Sequence, residues 1–240
     1  MGRARYGVDA PGALIGQISG GLAGSLVAAG LLAAGWWIGW IVLAGGLFGF
    51  ASAAVYLHTT LRGKFAVWAR ELRRLELDGG ERALDLGCGR GMVLIQVAKL
   101  LPRGRAVGID LWRGKDQSGN TGEVARRNAE AEGVSGRVDL VTGDMRSLPF
   151  EDGSFDLVVS SLAVHNVPDA EGRARAVAEA YRVLAPGGRL LLADFQHVRD
   201  YAAELRALSG TEPAVRGLGW RFWYGGPWFG TRMATLRKPG

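Results

Sequence analysis

Between Asp9 and Arg62 the chain carries no Asp, Glu, Lys or Arg, and Leu, Ile, Val, Ala, Trp, Phe and Gly make up nearly all of the stretch. A soluble domain has no need of such a run. As one helix it would extend roughly 70 Å at about 1.5 Å per residue, more than twice the ~30 Å hydrocarbon core of a bilayer. Two spans fit better: Gly12 to Ala34 and Trp37 to Leu57, turning near Gly35, with Trp36, Trp37 and Trp40 suited to an interface. Small residues recur every fourth position, at Gly12, Gly16, Gly20, Gly24 and Ala28 and again at Gly45, Gly49 and Ala53. Such ridges suit close helix pairing, within the hairpin or between two copies in a homodimer. Arg3 and Arg5 precede the first span, and Arg62, Lys64, Arg70, Arg73 and Arg74 follow the second, while the turn between is uncharged. That pattern predicts a cell-membrane protein with two spans and both ends in the cytoplasm. The competing reading is a cleaved signal peptide ending at Ala51-Ser52-Ala53, but the run is far too long for a signal's apolar region.

The remaining chain is long enough for one packed domain, so the organisation expected is an anchor over 1–61, a linker helix over 62–80 and one domain over 81–240. In Lys64 to Leu77, Phe65, Trp68, Leu72 and Leu75 form one stripe, with Arg70, Arg73 and Arg74 beside it. This amphipathic helix fits either the membrane surface or the face of the domain. A formal charge of +6 suits a nucleic acid or an anionic membrane, and its juxtamembrane share favours the membrane. Cys88 is the sole cysteine, which excludes an internal disulfide and a multi-cysteine zinc site.

From Arg82 onward, short β-rich runs alternate with helical stretches, the pattern of an α/β, doubly wound parallel sheet. Strands are expected at 82–88, 105–111, 137–141, 155–162 and 189–195, with helices at 92–101, 122–132, 170–184 and 199–208. The tail predicts a closing antiparallel hairpin, 219–224 and 231–237, about the turn Gly225-Gly226-Pro227.

The run Ala83-Leu84-Asp85-Leu86-Gly87-Cys88-Gly89-Arg90-Gly91 passes from a strand through a glycine-rich turn into a helix. Ligands of open α/β sheets lie outside the carboxyl ends of strands, where glycines admit close backbone approach. A dinucleotide fingerprint would need its third glycine one residue later than Gly91. Further along stand Asp110-Leu111 at a strand end, Gly143-Asp144-Met145, Asp156 to Ser161 with Ser160 near its end, and Val183 to Leu190 around Pro186-Gly187-Gly188.

These five motifs, in this order over about Glu81 to Phe195, resemble the class I S-adenosylmethionine-dependent methyltransferases, and the first matches their acidic-x-G-x-G-x-G pattern in full. The resemblance implies the Rossmann-like fold and S-adenosylmethionine as cofactor. It implies that Asp85, Gly87, Cys88, Gly89 and Gly91 surround the methionine part and that Asp110 accepts from the ribose hydroxyls. Leu111 would then pack on adenine, Asp144 and Met145 would meet the adenine amino group and ring, and Ser160 would border the site. A carboxylate suits the ribose because it is acceptor-only.

Such chemistry needs no metal, since the sulfonium already activates the methyl group. His165, after the fourth strand, is the best-placed base, and Asn166 could orient it or the substrate. The loop 112–121 is longer than in many relatives and could form a lid. The arrangement resembles methyltransferases of quinone and lipid biosynthesis, so a small, hydrophobic acceptor drawn from the bilayer is expected. The alternatives are a non-catalytic cofactor-binding membrane protein and a nucleic-acid methyltransferase. Trp220, Phe222, Trp223, Tyr224, Trp228 and Phe229 make the tail very aromatic; as strand residues they would fill a core, and otherwise they would brace the anchor or face lipid.

Overall fold

The structure is a computed structural model that describes Ala4, residues 6–112 and residues 121–240. Arg3, Arg5 and most of the 112–121 loop, with its expected lid, lie outside the described residues. The chain forms two compact units: Gly7–Lys64 with Gly219–Gly230, and Phe65–Leu218 with Thr231–Gly240 and the N-terminal residues through Tyr6.

The first unit is built on two helices, α1 (Pro11–Ala33) and α2 (Gly39–His58). Pro11 opens α1 where a missing N–H costs nothing, and Gly35, at φ 77°, turns the chain where a side chain would be strained. Trp36, Trp37 and Trp40 are exposed about this turn. Both helices are long and apolar enough to cross a membrane. Their seam joins Gly21, Gly24 and Ala28 to Gly39, Gly46 and Gly49: a Cβ on Gly46 would stand 3.0 Å from the Gly21 carbonyl oxygen, and one on Gly49 3.2 Å from the Gly21 Cα. Of the expected fourth-residue ridges, Gly24, Ala28 and Gly49 lie in this seam, whereas Gly12, Gly16, Gly20 and Gly45 have open space around them. The helical rotation of about 100° per residue carries a strict four-residue repeat off the contact face.

A π-helical turn, Thr59–Gly63, leads into α3 (Lys64–Arg73). Trp68 and Leu72 of α3 are fully buried, and the Trp68 indole donates to Ser161 Oγ at 2.9 Å. The apolar stripe therefore covers the sheet domain. Glu71, also buried, accepts from Arg70, Arg74 and Arg216.

The second unit holds β1 (Arg82–Leu86), α4 (Met92–Leu100), β2 (Arg105–Asp110), α5 (Gly122–Ala131), β3 (Val138–Thr142), β4 (Phe155–Ser161), α6 (Ala170–Arg182), β5 (Leu184–Asp194), α7 (Val198–Ser209), β6 (Ala214–Gly217) and β7 (Arg232–Arg237). They make one seven-stranded sheet in the order β3-β2-β1-β4-β5-β7-β6, parallel through β5 and antiparallel at β7 and β6. Leu84, Leu86, Ile109, Val158, Leu190 and Leu192 sit in its core. Strands covered on both faces read as nearly continuous apolar runs, as in Leu157-Val158-Val159.

The expected elements change most in two places. The helix anticipated through Leu184 stops at Arg182, and β5 starts at Leu184 because Gly187 and Gly188 exchange backbone hydrogen bonds with Lys238, at 2.9 Å each. The expected strand at 219–224 does not form: β7 pairs instead with β6, Gly217 opposite Arg232, and 220–222 and 227–229 are short 3-10 turns within the helical unit.

Candidate functional site

The carboxyl ends of the parallel strands gather the residues singled out in the sequence. The strand order reverses about β1, where the crevice of an open α/β sheet lies. Out of β1 the chain turns through Gly87, Gly89 and Gly91 at φ 67°, 51° and 81°, a left-handed path that side chains disfavour. At Gly87 space is also closed, since a Cβ would stand 2.3 Å from that of Ala163 and 3.3 Å from Met145 Cε. The Gly87 amide donates to the Ile109 carbonyl at 2.8 Å, and Asn128 of α5 donates to the Arg90 carbonyl at 2.9 Å.

Asp85 is buried and accepts from the Leu94 amide at 2.9 Å, so its carboxylate holds the first turn of α4. Burial pushes its carboxyl up to about 8; the Leu94 amide pulls the other way, and the charge of Asp110 adds to the rise. Asp110 bridges two turns, accepting from Gly89 N at 2.9 Å and from Trp112 N at 2.7 Å. Leu111 beside it is 39% exposed, an apolar surface at the rim. The Cys88 thiol is buried against Gly108, and burial raises it well above the ordinary thiol range, which leaves it an inert packing group. Ser160 is buried and donates to the Leu86 carbonyl at 2.9 Å, so its hydroxyl ties the ends of β4 and β1. Asp144 pairs with Arg146 at 2.6 Å at the end of β3.

At the ends of β4 and β5 a second group forms. His165 Nδ1 stands 2.8 Å from Asp194 Oδ1, close but poorly aligned for a hydrogen bond, and its backbone N–H donates to Asp194 Oδ2 at 3.2 Å. Asp194 is 1% exposed and also accepts from the Phe195 amide at 2.8 Å and from the Tyr201 hydroxyl at 3.4 Å. Burial, then the charge of Asp194, raises the Tyr201 phenol far above its ordinary range, so it stays a donor. The His165 ring lies 4.6 Å from that of Phe195. Asn166 is exposed, with a long 3.5 Å contact to the Leu162 carbonyl, so the group beside His165 is Asp194. Asp194 and Tyr201 escaped the sequence reading; an acid ending the fifth strand, beside the loop that follows the fourth, was the available signal.

The chemistry of this rim suits an adenosyl sulfonium: the carboxyl groups of Asp85 and Asp110 at the ends of β1 and β2, an open apolar residue beside Asp110, and a turn in which Gly87, Gly89 and Gly91 leave the backbone open. Among the described residues no cluster of His, Cys, Asp and Glu could hold a metal ion.

Residues 84–192 match the methyltransferase domain model Methyltransf_11. The ubiquinone/menaquinone biosynthesis C-methyltransferase of Dinoroseobacter shibae is 38% identical over 121 residues, 49% of this chain and 44% of that protein. The demethylmenaquinone methyltransferase of Thermus thermophilus is 36% identical over 129 residues, 53% of this chain and 54% of that protein. The chain thus spans about half the length of these curated relatives. Among solved structures, an S-adenosylmethionine-dependent methyltransferase of Methanosarcina mazei superposes with a TM-score of 0.52 at 21% identity, covering 70% of this chain and 96% of that one, a likeness of fold.

Proposed function

We propose a reaction from one premise: residues 84–192 are a class I S-adenosylmethionine-dependent methyltransferase domain, whose cofactor is S-adenosylmethionine. The reaction is methyl transfer to a small, lipophilic acceptor of the quinone-precursor kind, catalysed by a protein that α1 and α2 anchor in the cell membrane with its sheet domain in the cytoplasm. The acceptor class is supported by the relatives' role in quinone biosynthesis, and the anchor by two helices of spanning length and composition.

When bound, the cofactor supplies an electrophilic methyl group on a positive sulfur. Gly87, Gly89 and Gly91 would let backbone approach its methionine part, and Asp110, which accepts from the Gly89 and Trp112 amides, would also accept from the ribose hydroxyls. Leu111 and Met145 would hold the adenine ring, and Asp144 its amino group. Asp85, Cys88 and Ser160 act behind this layer, fixing the turn from β1.

The single observation that carries the catalytic reading is the pairing of His165 with the buried Asp194 at the rim. The carboxylate faces Nδ1, which leaves Nε2 to take the proton that the acceptor loses as it gains a methyl group. Asp194 is a positioning residue that stabilises the imidazolium. Asn166, exposed beside His165, is left to meet the acceptor.

The test is incubation of the purified full chain in lipid nanodiscs with methyl-tritiated cofactor and extracted membrane lipids. Label should enter a single lipophilic product. His165→Ala should lower kcat by about a hundredfold or more with cofactor binding retained. Asp194→Asn should lower kcat while moving the acid limb of the pH profile. Unchanged turnover in both variants would remove the base, and a labelled nucleic acid in place of a lipid would replace the acceptor class.

A further inference from the structure

Residues 219–230 lie between β6 and β7 in sequence, yet they belong to the compact unit of α1 and α2. Their contacts with α2 follow a register. Thr59 Oγ1 donates to the Trp223 carbonyl at 2.6 Å, the Tyr56 and Tyr224 rings meet edge to face at 5.2 Å, Ser52 Oγ donates to the Gly225 carbonyl at 2.6 Å, and Phe48 meets Trp228 at 5.5 Å. Along α2 and into the π-helical turn that continues it, these positions are spaced by three or four residues, so they form one helical stripe. As the segment's numbers rise, its partners on α2 fall. The segment therefore runs down α2 from Thr59 to Phe48, about 16 Å at 1.5 Å per residue, and comes back by Gly230.

That depth is about half of a ~30 Å hydrocarbon core. Non-helical backbone can lie at such depth only if its polar groups are satisfied by protein. Here the Trp223 and Gly225 carbonyls accept from the hydroxyls of Thr59 and Ser52, the Phe229 and Gly219 carbonyls accept from the Tyr224 and Phe222 amides, and the Gly226 carbonyl accepts from the Phe229 amide. Tyr224 also donates to Asp9, which holds Lys64 at 2.7 Å. Outward, the same segment presents Trp228 at 57% and Phe229 at 47% exposure, next to Phe48 at 58%. Trp220 stacks on His58 at the end of α2, at 4.8 Å, with the Arg221 guanidinium over its ring.

We propose that residues 219–230 are a re-entrant membrane loop, a third lipid-contacting element that enters the bilayer along α2 and sets Trp228 and Phe229 against acyl chains. The proposal rests on the reading of α1 and α2 as membrane spans. Part of its backbone is hydrogen-bonded within the protein, and its exposed side chains are large and apolar. The basic and amphipathic Arg221 and Trp220 stand at its entrance, where an interface would hold them.

The test places a nitroxide at single sites of the full chain in phosphatidylcholine nanodiscs and compares relaxation by oxygen with relaxation by an aqueous nickel chelate. Trp228→Cys reads the loop, and Phe229→Cys repeats it if the first variant folds poorly. Leu26→Cys, on an exposed face of α1, reads the spans. Native Cys88 is buried, so the unsubstituted protein serves as the labelling blank. The loop sites and Leu26→Cys should all favour oxygen. Lipid depth at Leu26 with nickel-accessible loop sites would overturn the proposal while leaving the spans intact. Nickel access at Leu26 as well would overturn the spans and the loop together.

Discussion

A carboxyl group shut away from water ionises only against a cost, and Asp85 is such a group, its acid form favoured up to about pH 8. Because the folded state holds this proton more tightly than the unfolded chain does, the associated stability is complete below the ordinary carboxylate range and is lost as pH rises through about 8. On the proposed reading, the cofactor's sulfonium would lie near Asp85 and favour its ionised form. Uptake of S-adenosylmethionine at pH 7 should therefore release up to about one proton. Calorimetry in buffers of different ionisation heat would detect it, and Asp85→Asn should abolish the buffer dependence; heats that do not vary with buffer would dissociate Asp85 from cofactor binding. The acid was legible in the sequence because a strand, an acid and three glycines form a local pattern. Its role as the acceptor for the Leu94 amide was not, nor was the place of Asp194, which stands 29 residues beyond His165 in sequence and joins it only through the pairing of β4 with β5.

At the scale of elements, α3 and the 219–230 segment were each open to two readings for the same reason: an apolar stripe states that a face is covered and not by what. For α3 the cover is the sheet, with Trp68 reaching Ser161 and Glu71 reaching Arg216 of β6. Burial opposes ionisation of Glu71, but Arg216 and Arg70 outweigh it and hold the carboxyl below its ordinary range. Its contribution to stability is thus present above that range and lost on acidification through it. Glu71→Gln should destabilise the sheet domain by about 1 to 2 kcal/mol in denaturant titrations, since it removes the charge on which Arg216, Arg70 and Arg74 converge, and Glu71→Gln with Arg216→Met should recover part of the loss. A single variant as stable as the parent would show the pair to be incidental. In the tail, Gly225-Gly226-Pro227 signalled a reversal correctly, but the aromatic run before it serves helix packing, and β7, besides pairing with β5, pairs with the less conspicuous Ala214–Gly217.

For the whole molecule, the parallel sheet, its order of motifs and the apolar helix pair were readable in advance because each is written in contiguous sequence. The division of the chain was not, since one unit collects residues more than 150 positions apart. Only the unit holding the glycine turn should respond to cofactor. Scanning calorimetry in nanodiscs should then show one transition raised by S-adenosylmethionine, by about 2.7 kcal/mol of added stability at a hundredfold excess over Kd, and another unmoved. Equal displacement of all the heat absorption would mean that the two units unfold as one.

The polypeptide passes between the two units after Tyr6, after Lys64, after Leu218 and after Gly230. A protease that nicked the peptide bond following Lys64 would therefore leave the severed halves still laced together by Thr59, Ser52 and Asp9, and a shed, freely diffusing form of the sheet could not arise from one cut.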